Sequence, residues 1–193
     1  MDVNIVLQRY PFDVKLEDGS EFTIRPLAKE DKIRLARFFQ TVSEEDRFYL
    51  KENVTAPEII HGWIDNMNYE RAVPILAIVD GNIVADATLH RSRTPARMHV
   101  GELRVVVHPN YRGVGLGARL IQELIDLGRA LELEILFFEL VDRREMGAIH
   151  AAATAGFEEV AVLRNRVKDV YGSLQDLVIM ERSLESEMAY GHF

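Results

Sequence analysis

The sequence predicts an α/β domain: a mixed central sheet of about seven strands, with helices on both faces. Three observations carry this. Apolar residues alternate with period two in several short runs bounded by glycine, proline and acidic turn residues. One run, "EILFFELV" at 134–141, is almost wholly apolar, as expected of a strand covered on both faces. Between such runs lie segments with apolar residues three and four apart, the spacing of one helix face.

In chain order, "FDVKLEDGSEFTIR" (12–25) reads as a hairpin around Asp18-Gly19, a pair that tolerates positive φ. "KEDKIRLARFFQTV" carries Ile33, Leu35, Ala36, Phe38 and Phe39 at helical spacing. Ser43 and Thr55 stand as N-caps, with Asp46 and Glu58 three residues on. "VPILAIVD" and "IVADATLHRS" are strands meeting at Gly81-Asn82, and "VGELRVVVHP" is a strand stopped by Pro109. Leu116, Leu120, Ile121, Leu124, Ile125 and Leu131 line one face of the next helix. "EMGAIHAAATAGF" is a helix ending at Gly156, and strands at 158–168 and 174–181 close the chain around a turn at Asp169–Ser173.

The 193 residues suit a single domain spanning 1–193, with its hairpin at 12–25. No apolar run reaches the ~18 residues of a membrane span, and "MDVNIVLQRY" lacks the apolar stretch of a secretory signal. Cysteine is absent, which excludes disulfides, thiolate metal sites and a cysteine nucleophile, and suits a cytoplasmic protein. A net charge of −8 argues against nonspecific nucleic-acid binding and towards solubility or cationic partners. His90, His99 and His108 lack metal-ligand spacing, so no metal is expected. Trp63 and the Phe38-Phe39 pair read as core. Glu44, Glu45 and Asp46 read as a solvated face with some capacity to receive a cationic substrate. Nothing in the chain chooses between monomer and homodimer.

The stretch "VVVHPNYRGVGLGARL" places three glycines between a β-branched run and a helix. Gly113, Gly115 and Ala118 satisfy the G-x-G-x-x-G/A dinucleotide fingerprint by letter, and Glu139 stands where a ribose-binding acid is wanted. However, "HPNYR" separates Val107 from Gly113, and the preceding strands run as a meander rather than a βαβ unit. A P-loop fails because no Gly-Lys-Ser/Thr follows. The remaining reading is a pyrophosphate cradle built from backbone N–H groups at a helix N-terminus, with Arg112 supplying a charge.

In this arrangement the segment resembles motif A of the GNAT superfamily, the acetyl-CoA-dependent N-acetyltransferases. The run strand, Arg112-x-x-Gly115-x-Gly117, helix, strand, helix, "AGF" matches that family's order, with a cofactor-binding core at about 100–157. The resemblance implies the GNAT fold and acetyl-CoA as cosubstrate. It implies that main-chain groups of Val105, Val106 and Val107 meet the pantetheine arm, and that Arg112, Gly113, Val114, Gly115, Leu116, Gly117 and Ala118 form the pyrophosphate site. "GELRVVVHPNYRGVGLG" and the opening "FTIRPLAKEDKIRLARFFQTVSEEDRFYL" resemble Pat-type bacterial protein lysine acetyltransferases, which implies a protein lysine as the acceptor. A polyamine, amino acid or aminoglycoside is the alternative acceptor, and a non-catalytic acyl-CoA sensor the alternative class.

An amine with a pKa near ~10.4 arrives protonated, so a base is needed. Glu102 stands ten residues before Arg112 on a largely apolar strand, a setting expected to raise its pKa. The resemblance implies that it is the general base. Without cysteine, direct attack in a ternary complex is expected. Many GNAT enzymes carry a general-acid tyrosine four residues before Gly-Phe. Here Ala152 stands at that position, and Glu145 replaces a common asparagine at the helix start. Pat-type members often lack that tyrosine too. Tyr171, Tyr111 and His150 are the available substitutes.

Overall fold

The computed structural model describes residues 2–184; the predicted domain limits of 1–193 extend beyond them. Eight strands form one sheet in the order β1-β2-β3-β4-β5-β6-β8-β7. They are β1 (Phe12–Lys15), β2 (Glu21–Pro26), β3 (Ala72–Val79), β4 (Asn82–Arg91), β5 (Val100–Val107), β6 (Ile135–Val141), β7 (Glu158–Lys168) and β8 (Leu174–Ser183). The helices are α1 (Val3–Val6), α2 (Lys32–Thr41), α3 (Glu44–Phe48), α4 (Pro57–Asp65), α5 (Leu116–Ala130) and α6 (Met146–Thr154). The fold is therefore the mixed α/β sheet expected, with eight strands for the seven predicted. All neighbours pair antiparallel except β5 and β6.

The sheet separates two cores. On one face Leu116, Leu120, Leu124 and Leu127 of α5 pack on Ala85, Ala87 and Leu89 of β4 and Leu103 of β5. On the other, Leu35, Phe38 and Phe39 of α2 and Ile60 and Ile64 of α4 pack over Leu76 and Ile83. Ile33, grouped with the α2 core positions, is instead 71% exposed, because it falls outside the arc of α2 that meets the sheet.

One turn and one helix start differ from expectation by one residue. The β3–β4 hairpin turns on Asp80-Gly81, with φ of 48° and 76°. Val79 pairs with Asn82, so the loop has two residues, both left-handed, as a primed turn requires. Helix α4 starts after Ala56 with Pro57 in its first turn, so Thr55 is not the cap; the Thr55 hydroxyl donates to Asn53 instead. Ser43 does cap α3, its hydroxyl accepting from Asp46 N–H at 3.1 Å. At Asp18-Gly19 only Gly19 takes positive φ, while the Asp18 carboxylate accepts from Ser20 N–H.

Candidate active site

β5 pairs with β6 only through Val100, Gly101 and Glu102. Past Glu102 the two strands part, and β6 continues paired to β8 on its other edge. His108 N–H donates to Val84 O at 2.9 Å, which sets the phase of the antiparallel β4–β5 ladder. By that phase the main chains of Arg104 and Val106 bond to β4. Those of Leu103, Val105 and Val107 face the fork, where no strand meets them. One group there is engaged: Val107 O accepts from Arg112 Nε at 2.9 Å. Val106 differs from its two neighbours, because its main chain belongs to the β4 ladder opposite Asp86.

The loop at the end of β5 leads into α5. Gly113 and Gly115 adopt φ of 77° and 92°, a region that costs a glycine little. A Cβ at either would meet nothing within 4 Å, so the loop surface is open. Gly115 caps α5 without a side chain, and the N–H groups of Leu116, Gly117 and Ala118 have no acceptor within the helix. Leu116 itself is fully buried, so its side chain anchors the first turn of the helix. Val114 packs on the α5 core. Arg112 is not a free cation: it donates to Asp46 Oδ2 at 2.9 Å. Arg144 grips the other oxygen of Asp46 at 2.8 Å and Glu45 at 3.0 Å. The acidic face of α3 is thus paired to arginines across the fork, not merely solvated.

Glu102 lies at the fork. Its Oε1 accepts from Lys51 Nζ at 2.7 Å and from Arg104 Nε at 2.9 Å. Lys51 also reaches Glu139 Oε2 on β6 at 3.0 Å. Burial pushes the Glu102 carboxyl up, but the hydrogen bonds and charges of Arg104 and Lys51 outweigh it and hold it below the usual glutamate range. The raised pKa expected from an apolar strand is therefore corrected by two cations, one of them from a distant segment.

Beside Glu102, a cavity of about 470 Å³ opens between the sheet and helices α2 and α4. Phe39, Trp63 and Leu35 form apolar wall; Asp86, His90 and Arg104 form polar floor; and Lys51 lines it too. Trp63 was expected in the core. It does pack edge-on against Phe39 at 5.9 Å, yet it also lines this cavity and donates to Glu52 at 2.8 Å. Burial drives the His90 imidazole down to about 4, with Arg104 adding to the effect, so it is neutral at physiological pH.

Burial also pushes the Asp86 carboxyl up to about 6, against a hydrogen bond from Thr88 at 3.1 Å. A carboxyl raised in the folded state makes stability fall as pH rises from its unfolded value near ~4 to its folded value, by up to roughly 3 kcal/mol. Asp86→Asn is therefore expected to raise the denaturation midpoint at about pH 8 and leave it little changed near pH 4. A midpoint at pH 8 below that of the wild type would contradict this.

The substitute acids lie elsewhere. Tyr111 packs edge-on against Phe22 on the α5 face, opposite Glu102. Tyr171 is 83% exposed on the β7–β8 turn, and His150 is exposed on α6. Ala152 is fully buried, and Glu145, whose carboxyl burial pushes up, accepts from Val141 N–H at 2.6 Å and so ties the end of β6 to α6. Among the described residues no group of histidines and carboxylates is arranged to hold a metal, and no helix is long and apolar enough to cross a membrane.

Comparison with known proteins places this geometry. The chain is 29% identical over 118 residues to an acetyltransferase of Pseudomonas aeruginosa; the match covers 59% of this chain and spans 63% of that protein's length. The GNAT domain of S. lividans PAT superposes with a TM-score of 0.74 at 21% identity, covering 91% of this chain and 98% of that one. An acetyltransferase of Salmonella typhimurium, yncA, solved with its cofactor acetyl-CoA, gives 0.73 at 20% identity, covering 88% and 98%. The model of the acetyltransferase (GNAT) family matches residues 35–157, more than half of the sequence. The chain belongs to the acetyltransferase (GNAT) family.

Proposed function

We propose that this protein transfers the acetyl group of acetyl-CoA to a primary amine, with Glu102 as general base. One observation carries the reading: the Glu102 carboxylate stands where β5 leaves β6, between an unpaired strand edge and an open cavity. The edge at Val105 and Val107 suits the amide-rich pantetheine arm, held as an added strand would be. The open glycine loop and the free N–H groups from Gly113 to Ala118 suit a pyrophosphate. Acetyl-CoA bound there supplies the thioester carbonyl.

The residues of the chain do the rest. Glu102, ionised at neutral pH, attracts the acceptor ammonium and takes its proton towards solvent. Arg104 holds the carboxylate in place at 2.9 Å. With no tyrosine at position 152, the departing thiolate takes its proton from water. Its ordinary pKa near ~8.5 makes that undemanding.

For the acceptor, the resemblance to Pat-type enzymes supports a protein lysine. The cavity supports a small amine instead, because the unbranched stem of one lysine would leave much of an apolar-walled space of about 470 Å³ empty. Arg71, Arg91 and Arg104 line it, and the buried Nε of Arg91 has no partner. These favour an amine that also carries an anionic group, such as an amino acid, over a polyamine. The test is thiol release from acetyl-CoA with amino acids, polyamines and lysine peptides offered in parallel. Binding of CoA with no release on any of them would overturn the enzyme reading.

A further inference from the structure

The acceptor side of this site already holds an amine, and it belongs to the chain itself. Lys51 lies in the connection between α3 and α4, and its Nζ crosses 51 sequence positions to reach Glu102. It bridges Glu102 on β5 and Glu139 on β6, at 2.7 and 3.0 Å. Glu102 is the last β5 residue paired to β6, opposite Phe137, and Glu139 lies two residues further along the same face of β6. The ammonium therefore sits directly over the point where the strands part, on the cavity side of the sheet. It is also accessible, with 43% of its side chain exposed.

A surface lysine pair needs no special account. This one differs in two respects. Its two carboxylates come from the two strands that diverge, and one of them is the proposed base. No other described lysine pairs with Glu102 or Glu139. Lys15 pairs with Glu21 on the far hairpin, and Lys32 pairs with Asp65 between α2 and α4.

We propose that Lys51 is itself an acetyl acceptor, modified in cis by the acetyl-CoA bound in the same chain. The inference rests on the function proposed above. In the step, the Lys51 nitrogen forms an amide bond to the acyl carbon as the carbon–sulfur bond breaks. The ammonium loses two protons to solvent, one of them through Glu102, and the departing thiolate takes one back from water. No further reactant is needed. The product has no charge at Nζ, so the bridge between Glu102 and Glu139 is lost. Among the described residues Glu102 is left with Arg104 as its one cationic partner, and with the cavity side open. Self-acetylation would thus clear the acceptor position for another amine.

The test incubates the purified protein with acetyl-CoA alone and follows each lysine by peptide mass spectrometry. Lys51 is expected to be acetylated at least tenfold faster than Lys15, at a rate independent of protein concentration. Glu102→Gln is expected to slow Lys51 and leave Lys15 unchanged. A second readout needs no acetyl-CoA: in Lys51→Gln the titration of Glu102, followed by carboxyl NMR, should move upward from that of the wild type. Equal rates at Lys51 and Lys15 would overturn the proposal. If amines still release thiol from acetyl-CoA in that case, the enzyme reading stands and only the Lys51 inference falls. A Lys51 rate that rises in proportion to protein concentration would overturn the cis step.

Discussion

Asp31→Ala is expected to lower the unfolding free energy by about 3–5 kcal/mol, the cost of breaking a buried ion pair from one side. Asp31 is fully buried at the start of α2. Its two oxygens accept from Arg25 at 2.6 and 2.7 Å, and Ala28 N–H adds a third bond at 2.9 Å. Arg34 approaches at 3.3 Å from the solvent side. Removing the carboxylate leaves the Arg25 guanidinium, which is 22% exposed, with the Pro26 carbonyl as its remaining hydrogen-bond acceptor. The pair also fixes where α2 leaves β2, so the loss extends to the packing of Leu35 and Phe39.

Burial opposes the Asp31 charge, but Arg25 and the Ala28 N–H outweigh it and hold the carboxyl below the usual aspartate range. A depressed carboxyl contributes stability that is complete above its unfolded pKa near ~3.9 and is lost as pH falls through its folded value. The difference between wild type and variant should therefore narrow in acid. Urea denaturation at about pH 7 and pH 3 measures both values. A loss under about 1 kcal/mol at neutral pH would show that the pair is no more than a surface contact.

Glu102→Gln is expected to lower kcat/KM by a factor of about 10²–10⁴, the usual contribution of a positioned base, with CoA affinity unchanged. The amide keeps the size and the hydrogen bond from Arg104 but cannot take a proton. Because Arg104 and Lys51 hold Glu102 below the ordinary glutamate range, it is ionised throughout the neutral region. The wild-type rate should then rise with pH towards the pKa of the acceptor amine, with the Glu102 limb confined to acid. A Glu102→Gln rate equal to wild type, measured by thiol release at about pH 7, would remove Glu102 from the mechanism.

The sheet and its main helices were legible because their signals are local. The run of β6 is a strand, but the cover expected on both faces holds for one: Leu136, Phe138 and Leu140 are buried, while Glu139 on the other face is exposed. The apolar face of α5 is read directly from residue spacing and is as expected. So is the Gly156 terminus of α6, where φ is 81° and Phe157 N–H closes on Ala152 O. The turn at Asp80-Gly81 was placed one residue late because Asp-Gly and Gly-Asn both tolerate positive φ. Only the pairing of Val79 with Asn82 decides between them.

The environment of Glu102 was legible only in part. Arg104, two residues on along the same strand face, is read from the sequence as a neighbouring cation, but the second partner, Lys51, arrives from a loop whose sequence carries no motif. The polar floor of the cavity is hidden for a similar reason. Asp86, Thr88 and His90 read as the alternating polar positions of a half-exposed strand, and only the α2 and α4 cover makes them interior.

The short β5–β6 pairing has a mechanical consequence. Strands β1 to β5 form one plate and β6, β8 and β7 another, welded along only three residue pairs. Gly101 lies at the middle of the weld, where a Cβ would come within 2.7–2.9 Å of Leu89, Leu133 and Leu136. Its bareness lets the plates close tightly at one end while they gape at the other. The molecule is built like a clothes peg: the leucines around Gly101 are the spring, and whatever lies between the jaws braces both plates at once.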